Sequence, residues 1–197
     1  MKFRILLLTC VSVLIFGSNA FAMFADNVEW TMGTNLSATS SRANIENALG
    51  SFSDAAYNPA YSDIDFLSLG LGGKAIFSFG DSSFTGKVSI YETTWGRPNN
   101  YDEYAAVYVS TDKVNWDPIP EVLFNQDIDE AGALTFDVKG VFKYLMVEDI
   151  TVSQGGVAGD GFDINAVSVS PTPIPGAALL LGSGLIGLVG IRRRIKA

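Results

Sequence analysis

Hydrophobic and polar residues alternate along the central part of the chain. Ala75, Phe77 and Phe79 share one face of a candidate strand, and Val88 and Ile90 share one face of the next. A period of two with many aromatic and β-branched residues is typical of half-buried strands. The same pattern returns further along, in four sets: Ala105, Val107 and Val109; Leu134, Phe136 and Val138; Phe142, Tyr144 and Met146 opposite Leu145 and Val147; Phe162, Ile164 and Ala166 opposite Val167 and Val169.

Turn signals separate these runs, and helical periodicity is scarce. Paired glycines such as Gly72-Gly73 lie between strands, and residues 111–115 predict a hairpin turn because Asp112 and Asn115 can bond to their own backbone. Only residues 43–49 have a pattern that would suit two helical turns. Short strands without intervening helices predict an all-β fold, an antiparallel β-sandwich or jelly roll of about eight strands. A closed barrel fits the same pattern.

The first 22 residues have the order of a secretory signal peptide. Two basic residues, Lys2 and Arg4, precede a short apolar run, and Ala20 and Ala22 occupy the positions that a signal peptidase reads. We therefore expect residues 1–22 to be removed by signal peptidase and the protein to be exported. The domain of interest would then comprise residues 23–170.

The last 27 residues combine a stalk, an apolar run and a basic end. Residues 171–175 contain three prolines, which favour an extended stalk. Residues 176–191 are 16 uncharged, largely apolar residues, so a helix there would be about 24 Å long against a hydrocarbon core of about 30 Å. This predicts a short transmembrane helix. The basic residues 192–197 would stay in the cytoplasm and leave the acidic domain outside.

Charge and composition narrow the possible functions of the middle of the chain. The chain has no histidine, and its one cysteine, Cys10, lies inside the predicted signal peptide. This excludes disulfides, histidine or cysteine metal sites and Ser-His or Cys-His nucleophiles from the mature domain. All 21 acidic residues lie between Asp26 and Asp163 with seven basic ones, a net charge of −14. Such a domain repels nucleic acid.

Two sets of residues are candidates for binding. The first set is Glu92, Glu103, Asp160 and Asp163, which lie in or beside loops and strand ends. Carboxylate oxygens are the ligands that calcium prefers, so these residues are candidates for a calcium site. Exposed aromatic rings suit the apolar faces of sugars, which makes Trp95 and Tyr101 candidates for stacking on a polysaccharide. No pair of carboxylates has a spacing that indicates a glycosidase. We therefore expect no enzyme activity.

Four segments of the middle domain carry a family resemblance. They are "SLGLGGKAIFSFG" (68–80), "VSIYE" (88–92), "EYAAVYVSTDKVNW" (103–116) and "GDGFDINAVSV" (159–169). Together they resemble the extracellular domain of PEP-CTERM bacterial surface proteins, with Lys113 in place of the usual turn glycine and Asn165 in place of the second closing aspartate. The wider architecture is similar to discoidin-like, galactose-binding-like jelly rolls, a likeness of fold that implies no ligand.

The tail resembles the PEP-CTERM sorting signal, which is recognised by exosortase, an integral-membrane cysteine transpeptidase. The resemblance implies an exported protein that is held at the inner membrane with its domain on the periplasmic side. Exosortase would then cut it, and it would reach the cell surface or a matrix of exopolysaccharide and biofilm. The alternative is an uncut, single-pass carbohydrate- or calcium-binding module. The residues that match the signal are Pro173, Ile174 (in place of the usual glutamate), Pro175, Arg192, Arg193 and Arg194.

Overall fold

A computed structural model of the chain describes residues 22–52, 66–93, 101–157, 159–172 and Gly184. Contacts group Phe21–Pro171 into one compact unit. The other unit, Met1–Ala20 with Thr172–Ala197, contains only Thr172 and the helical Gly184 among the described residues. Among the described residues, no helix is long and apolar enough to cross a membrane. The predicted transmembrane helix and nearly all of the predicted signal peptide lie outside this set.

The compact unit consists of two antiparallel five-stranded sheets, which confirms the predicted all-β sandwich. Hydrogen bonds order the first sheet β1-β10-β5-β8, with β3 also paired to β10, and the second sheet β2-β4-β9-β6-β7. The first sheet comprises β1 (Met23–Phe24), β3 (Leu67–Ser68), β5 (Phe84–Glu92), β8 (Ala133–Phe142) and β10 (Asp163–Pro171). The second comprises β2 (Asn27–Thr31), β4 (Lys74–Ser78), β6 (Tyr104–Ser110), β7 (Asp117–Phe124) and β9 (Tyr144–Asp149).

The core lies between the sheets and is lined by the residues that the alternation places inward. In β6, Ala105, Val107 and Val109 are buried whereas their outward neighbours are half-buried. Strand β8 behaves alike, since Leu134 and Phe136 are buried and the residue between them is exposed. The predicted two-turn helix is instead a pair of 3-10 helices, Ser41–Ala43 and Ile45–Ala48, each preceded by a side chain that caps it.

Strand β10 contains a register shift, and the alternation of apolar residues along this strand changes parity at the same place. Ile164 pairs with Glu92, but Ala166 already pairs with Tyr91, so one extra residue of β10 is accommodated between them. A bulge of this kind moves the following side chains to the opposite parity. Ile164, Val167 and Val169 can therefore all join the core. The same bulge lies next to Asp163, at the end of the sandwich where acidic residues collect.

The hairpin between β6 and β7 has the turn that the sequence predicts. The Asp112 carboxylate accepts backbone hydrogen bonds from Val114 (2.8 Å) and Asn115 (2.9 Å). Lys113, at the position where the resembling family has glycine, adopts a left-handed conformation with φ of 63°. The return strand β7 is the edge of the second sheet and carries Pro118 and Pro120, which an edge strand tolerates because their missing N–H groups break no inner ladder.

Candidate functional site

Five carboxylates from both sheets meet at one end of the sandwich, and we call them the acidic cluster: Glu92, Glu103, Asp149, Asp160 and Asp163. Antiparallel pairing brings them together, because the ends of β5 and β9 lie beside the beginnings of β10 and β6. In the first sheet, Asp163 pairs with Ser68, and the next residue of β10 pairs with Glu92. In the second sheet, Asp149 pairs with Ala105, which follows Glu103 by two positions. Asp160 comes from the loop before β10.

Asp149 is buried with a full set of hydrogen bonds. Its Oδ1 accepts the backbone N–H of Gly72 (2.9 Å). Its Oδ2 accepts the hydroxyl of Thr151 (2.7 Å) and the backbone N–H of Phe162 (2.9 Å). A carboxylate that accepts three hydrogen bonds is satisfied without a ligand. Asp149 therefore fastens the end of β9 to two loops.

Glu103 is equally buried but has no such partners. Its backbone is bonded, since its N–H donates to the side chain of Asn125 (3.1 Å) and its C=O accepts from the Asn125 N–H (3.1 Å). Its side chain is 0% exposed, yet neither carboxylate oxygen accepts a hydrogen bond from any residue that the structure describes. A buried acidic group without partners is strongly destabilising, so most such groups in proteins are paired or bind an ion.

Asp160 and Asp163 share one hydrogen-bond donor. The Ser68 hydroxyl contacts Oδ1 of Asp163 and lies 3.2 Å from Oδ2 of Asp160. A serine hydroxyl has a single proton, so it can donate to only one of these carboxylates at a time. Asp160 has further partners in Arg42 and Tyr101, so the Ser68 hydroxyl is free to donate to Asp163.

Arg42 and Tyr101 cover the outer side of the cluster, at Asp160. The Arg42 guanidinium forms an ion pair with Oδ2 of Asp160 and lies over the Phe66 ring, 5.2 Å from its centre. The Tyr101 hydroxyl donates to Oδ1 of Asp160 (3.3 Å). The Tyr101 ring packs so closely on the loop that a Cβ at Gly159 would lie 1.6 Å from its hydroxyl oxygen. Asp160 thus connects the buried carboxylates to two half-buried side chains.

Burial and the mutual repulsion of the carboxylates at this end of the sandwich disfavour the ionisation of all of them at once. Burial raises the pKa of the Glu103 carboxyl far above its ordinary value, and the charges of Asp163 and Glu92 raise it further. Burial also raises the pKa of Asp163, and the charge of Asp160 adds to the effect. Burial and the nearby Asp160 raise the pKa of Tyr101 to about 12. The acidic cluster has one guanidinium, that of Arg42, in contact with it among the described residues.

The four acidic residues predicted as a metal site, Glu92, Glu103, Asp160 and Asp163, are thus brought together. In the described part of the chain, however, no group of three or more Asp, Glu, His or Cys side chains is placed so that it could hold a metal ion. Tyr101, predicted to stack on sugars, contacts Asp160 and lies at the same end of the sandwich; its role in sugar binding stays a prediction.

Several predicted residues fall outside this description. Ala22 is described and exposed, and its role in signal cleavage stays a prediction. The remaining predicted residues lie outside the described residues: Ala20, Trp95, Pro173, Ile174, Pro175, Arg192, Arg193 and Arg194.

Three residues at this end of the sandwich were not predicted from the sequence: Ser68, Arg42 and Asp149. Ser68 and Arg42 lie 92 and 118 positions before Asp160, so only strand pairing places them beside it. One signal was available for Arg42, because few basic residues lie among the many acidic ones of the domain.

Comparison with known proteins identifies the fold but no family. No protein-family model matches the sequence, and no curated protein is similar to it. Similar solved structures include a pectin-binding carbohydrate-binding module, with 16% identity, a TM-score of 0.51, and coverage of 76% of this chain and 93% of that one. The C-terminal domain of a chitobiase from Bacteroides fragilis has 17% identity, a TM-score of 0.48 and coverage of 78% and 99%. The CBM32 of AlyQ in complex with 4,5-unsaturated mannuronic acid has 10% identity, a TM-score of 0.48 and coverage of 76% and 97%. At such identities the likeness to the pectin-binding module shows that this chain shares its β-sandwich fold.

Proposed function

We propose that this protein is an exported, non-enzymatic module that binds polysaccharide at the cell surface or in the extracellular matrix. The observation that supports this most is the β-sandwich fold shared with a pectin-binding module. Fold alone does not define a ligand, so the proposal depends on a site that could recognise sugars. The end of the sandwich that carries Tyr101, Arg42 and Asp160 provides an aromatic ring together with hydrogen-bond donors and a carboxylate acceptor.

The charge of the domain favours certain polysaccharides. With a net charge of −14 between the predicted signal peptide and the stalk, the domain repels anionic polymers unless cations lie between them. Carboxylates such as Asp160 accept hydrogen bonds from sugar hydroxyls, and the half-buried ring of Tyr101 can contact an apolar sugar face. A neutral polysaccharide, or an anionic one in the presence of divalent cations, is therefore the expected ligand.

A polysaccharide panel with three variants tests the binding proposal. Tyr101→Ala and Trp95→Ala should each weaken retention of the protein on the bound polysaccharide, because each removes a ring from the proposed site. Tyr144→Ala is the matched control, since Tyr144 is a half-buried tyrosine at the other end of the second sheet, beside Lys113. Absence of binding to every polysaccharide, the producer's own exopolysaccharide included, contradicts the proposal.

We further propose that the tail is a sorting signal rather than a lasting anchor. The supporting features are the Pro173-Ile174-Pro175 motif, the short apolar run and the basic cluster at Arg192–Arg194. In this scheme signal peptidase removes residues 1–22, the tail holds the protein at the inner membrane, and an exosortase-type enzyme releases it. The protein would then associate with exopolysaccharide or biofilm.

Mass spectrometry of the mature protein from cells distinguishes the two fates of the tail. A C-terminus within residues 173–176 is expected for a sorted and cut protein. An intact C-terminus at Ala197 instead supports the single-pass anchored module.

A further inference from the structure

Three polar side chains are linked to one another on the outer face of the second sheet. Lys74, Glu148 and Tyr108 come from the adjacent strands β4, β9 and β6, and all three point away from the core. Lys74 Nζ donates to Oε1 of Glu148 (3.0 Å), and the Tyr108 hydroxyl donates to the same carboxylate. Burial raises the pKa of Tyr108 and the charge of Glu148 raises it further, so the hydroxyl stays protonated.

A shallow depression lies beside these side chains, at Ala106. Ala106 is directly opposite Glu148 on β9 and Val122 on β7, and its outward neighbours along β6 are Tyr104 and Tyr108. The usual strand spacing and rise place these borders about 10 Å apart across the strands and about 13 Å apart along β6. The Ala106 methyl group is only half-buried, so the larger side chains around it leave it open to solvent.

Packing fixes the borders of this depression. The Tyr104 and Phe124 rings are stacked, with centres 4.8 Å apart and planes at 11°. The loop after β9 packs on the same ring, since a Cβ at Gly156 would lie 3.1 Å from Cδ2 of Tyr104. Met146, directly opposite Tyr108, points outward yet is only 9% exposed, so its neighbours on this face cover it. Preformed borders of this kind reduce the entropy that binding costs.

The chemistry of these borders suits a sugar better than a peptide or an anion. An aromatic ring matches the apolar face of a sugar, and a carboxylate beside an ammonium group matches its hydroxyls. Lys74 and Glu148 neutralise each other while their side chains stay 45% and 26% exposed, which favours a neutral ligand. An added peptide strand is disfavoured at the nearby edge, because Pro118 and Pro120 of β7 have no N–H to donate.

We propose that the depression over Ala106 binds a neutral sugar ring of a polysaccharide chain, with Tyr108 on its apolar face and Lys74 and Glu148 on its hydroxyls. This inference rests on the proposed function and extends it to a second surface. Five residues of extended chain span at most about 18 Å, so the Cα of Tyr101 lies within that distance of the Cα of Ala106. One polysaccharide chain therefore reaches both surfaces.

Affinity electrophoresis of the purified protein in gels with xylan, galactan or the producer's own exopolysaccharide tests this site. Tyr108→Ala should weaken retention about two- to tenfold, the range expected for the loss of one aromatic contact. Ala106→Leu fills the depression and should weaken retention at least as much. Thr135→Leu is the matched control, because it adds the same side chain at an exposed position on the outer face of the first sheet.

Two further measurements separate binding from a structural effect. Tyr108→Phe keeps the ring and removes only the hydroxyl, so it should lose less retention than Tyr108→Ala. In isothermal titration, a hexasaccharide of the retained polymer should bind at least about tenfold more tightly than the disaccharide, because it contacts two surfaces at once. Ala106→Leu should remove most of this advantage.

The outcomes distinguish this site from the proposed function. Unchanged retention of both Tyr108→Ala and Ala106→Leu overturns the site alone if the unchanged protein still binds a polymer. Absence of binding by the unchanged protein to every polysaccharide overturns the site and the proposed function together. Should Tyr108→Ala not fold, Ala106→Leu decides alone, because its added side chain points toward solvent and leaves the core intact.

Discussion

Glu103 and Asp149 illustrate how burial alone leaves the role of a residue undecided. Both are acidic, both lie at strand ends, and both are at most 2% exposed. Three hydrogen bonds make Asp149 part of the scaffold, whereas the carboxylate of Glu103 has none from the described residues. The difference depends on which backbone N–H groups happen to face each side chain. Loss of the Asp149 carboxylate should therefore destabilise the folded protein, whereas Glu103→Gln should stabilise it at neutral pH.

The stability of the protein should fall as the pH rises from 5 to 8. The raised pKa values of Glu103 and Asp163 mean that the folded state binds more protons than the unfolded chain above the ordinary carboxyl pKa of about 4. The free energy of unfolding then decreases by up to about 1.4 kcal/mol per pH unit for each such proton. Thermal unfolding across this pH range measures the slope.

Glu103→Gln should reduce the dependence of stability on pH and raise Tm at pH 8, because it removes one of the two carboxyl groups whose pKa is raised. The exposed control Glu121→Gln should keep the slope, which separates the cluster from the general effect of the acidic surface. A Tm that rises between pH 5 and pH 8 in the unchanged protein is incompatible with raised pKa values at this site.

At the scale of elements, the crossing of the segment that follows β2 with the loop between β3 and β4 requires a glycine. A Cβ at Gly73 would lie 1.9 Å from the carbonyl oxygen of Leu69 and 2.7 Å from the backbone nitrogen of Gly33. Both contacts are with backbone, so no side-chain rotation can relieve them. This crossing also positions Gly72, whose N–H donates to Asp149.

Gly73→Ala should therefore destabilise the protein by about 4 kcal/mol or more, a size that indicates a disrupted core or backbone. Gly72→Ala is the matched control, because a Cβ there meets nothing within 4 Å although φ is +72°. It should lose only about 1–2 kcal/mol, the cost of a left-handed conformation for a residue with a side chain. Denaturant unfolding measures both, and equal losses would contradict the role of the crossing.

The β6–β7 hairpin should depend on Asp112. Asp112→Ala removes the acceptor for Val114 and Asn115 and should lower Tm, while Asp112→Asn, which keeps one acceptor oxygen, should lower it less. The pKa of Asp112 is lowered, chiefly by the backbone hydrogen bond from Asn115. This contribution is therefore present above the ordinary carboxyl pKa of about 4 and is lost in more acidic solution. Thermal unfolding at pH 7 compares the variants, and identical Tm values for Asp112→Ala and Asp112→Asn would rule out the hydrogen-bonding role.

At the scale of the whole molecule, the opposite charges of domain and tail bear on export. The domain is strongly acidic and the last six residues contain four basic ones. Basic residues remain on the cytoplasmic side of a membrane, so in the proposed sorting scheme they would hold the chain in place before the tail is cut.

Replacement of Arg192, Arg193 and Arg194 by serine should therefore reduce processing of the tail in cells. Mass spectrometry of the mature C-terminus measures it, and the lysine triple variant, which keeps the charge, serves as the control. Normal processing of the serine variant would show that the basic cluster is not needed.

The strands were predictable because they depend on local pattern. Alternation predicted the inward faces of β6 and β8, and turn residues predicted the hairpin at Asp112. Strands β1 and β3 have only two residues each, too few for a period of two to be recognised. The helix predicted over residues 43–49 became two 3-10 helices because the side chains of Ser40 and Asn44 each cap a new start.

The sequence by itself determined an all-β domain, an excess of acidic residues, and a central domain without histidine or cysteine, since these follow from composition and short-range periodicity. It also identified Glu92, Glu103, Asp160 and Asp163 as candidate metal ligands, but it contained no signal that these residues lie close together. Only the tertiary structure decided that they do, through pairing of β10 with β3 and β5. It alone decided that Asp149 is satisfied and Glu103 is not, and that Arg42 reaches Asp160 from 118 positions away. The physical reason is that hydrogen bonds and charge interactions depend on distances in space, which the order of strands in a sheet sets.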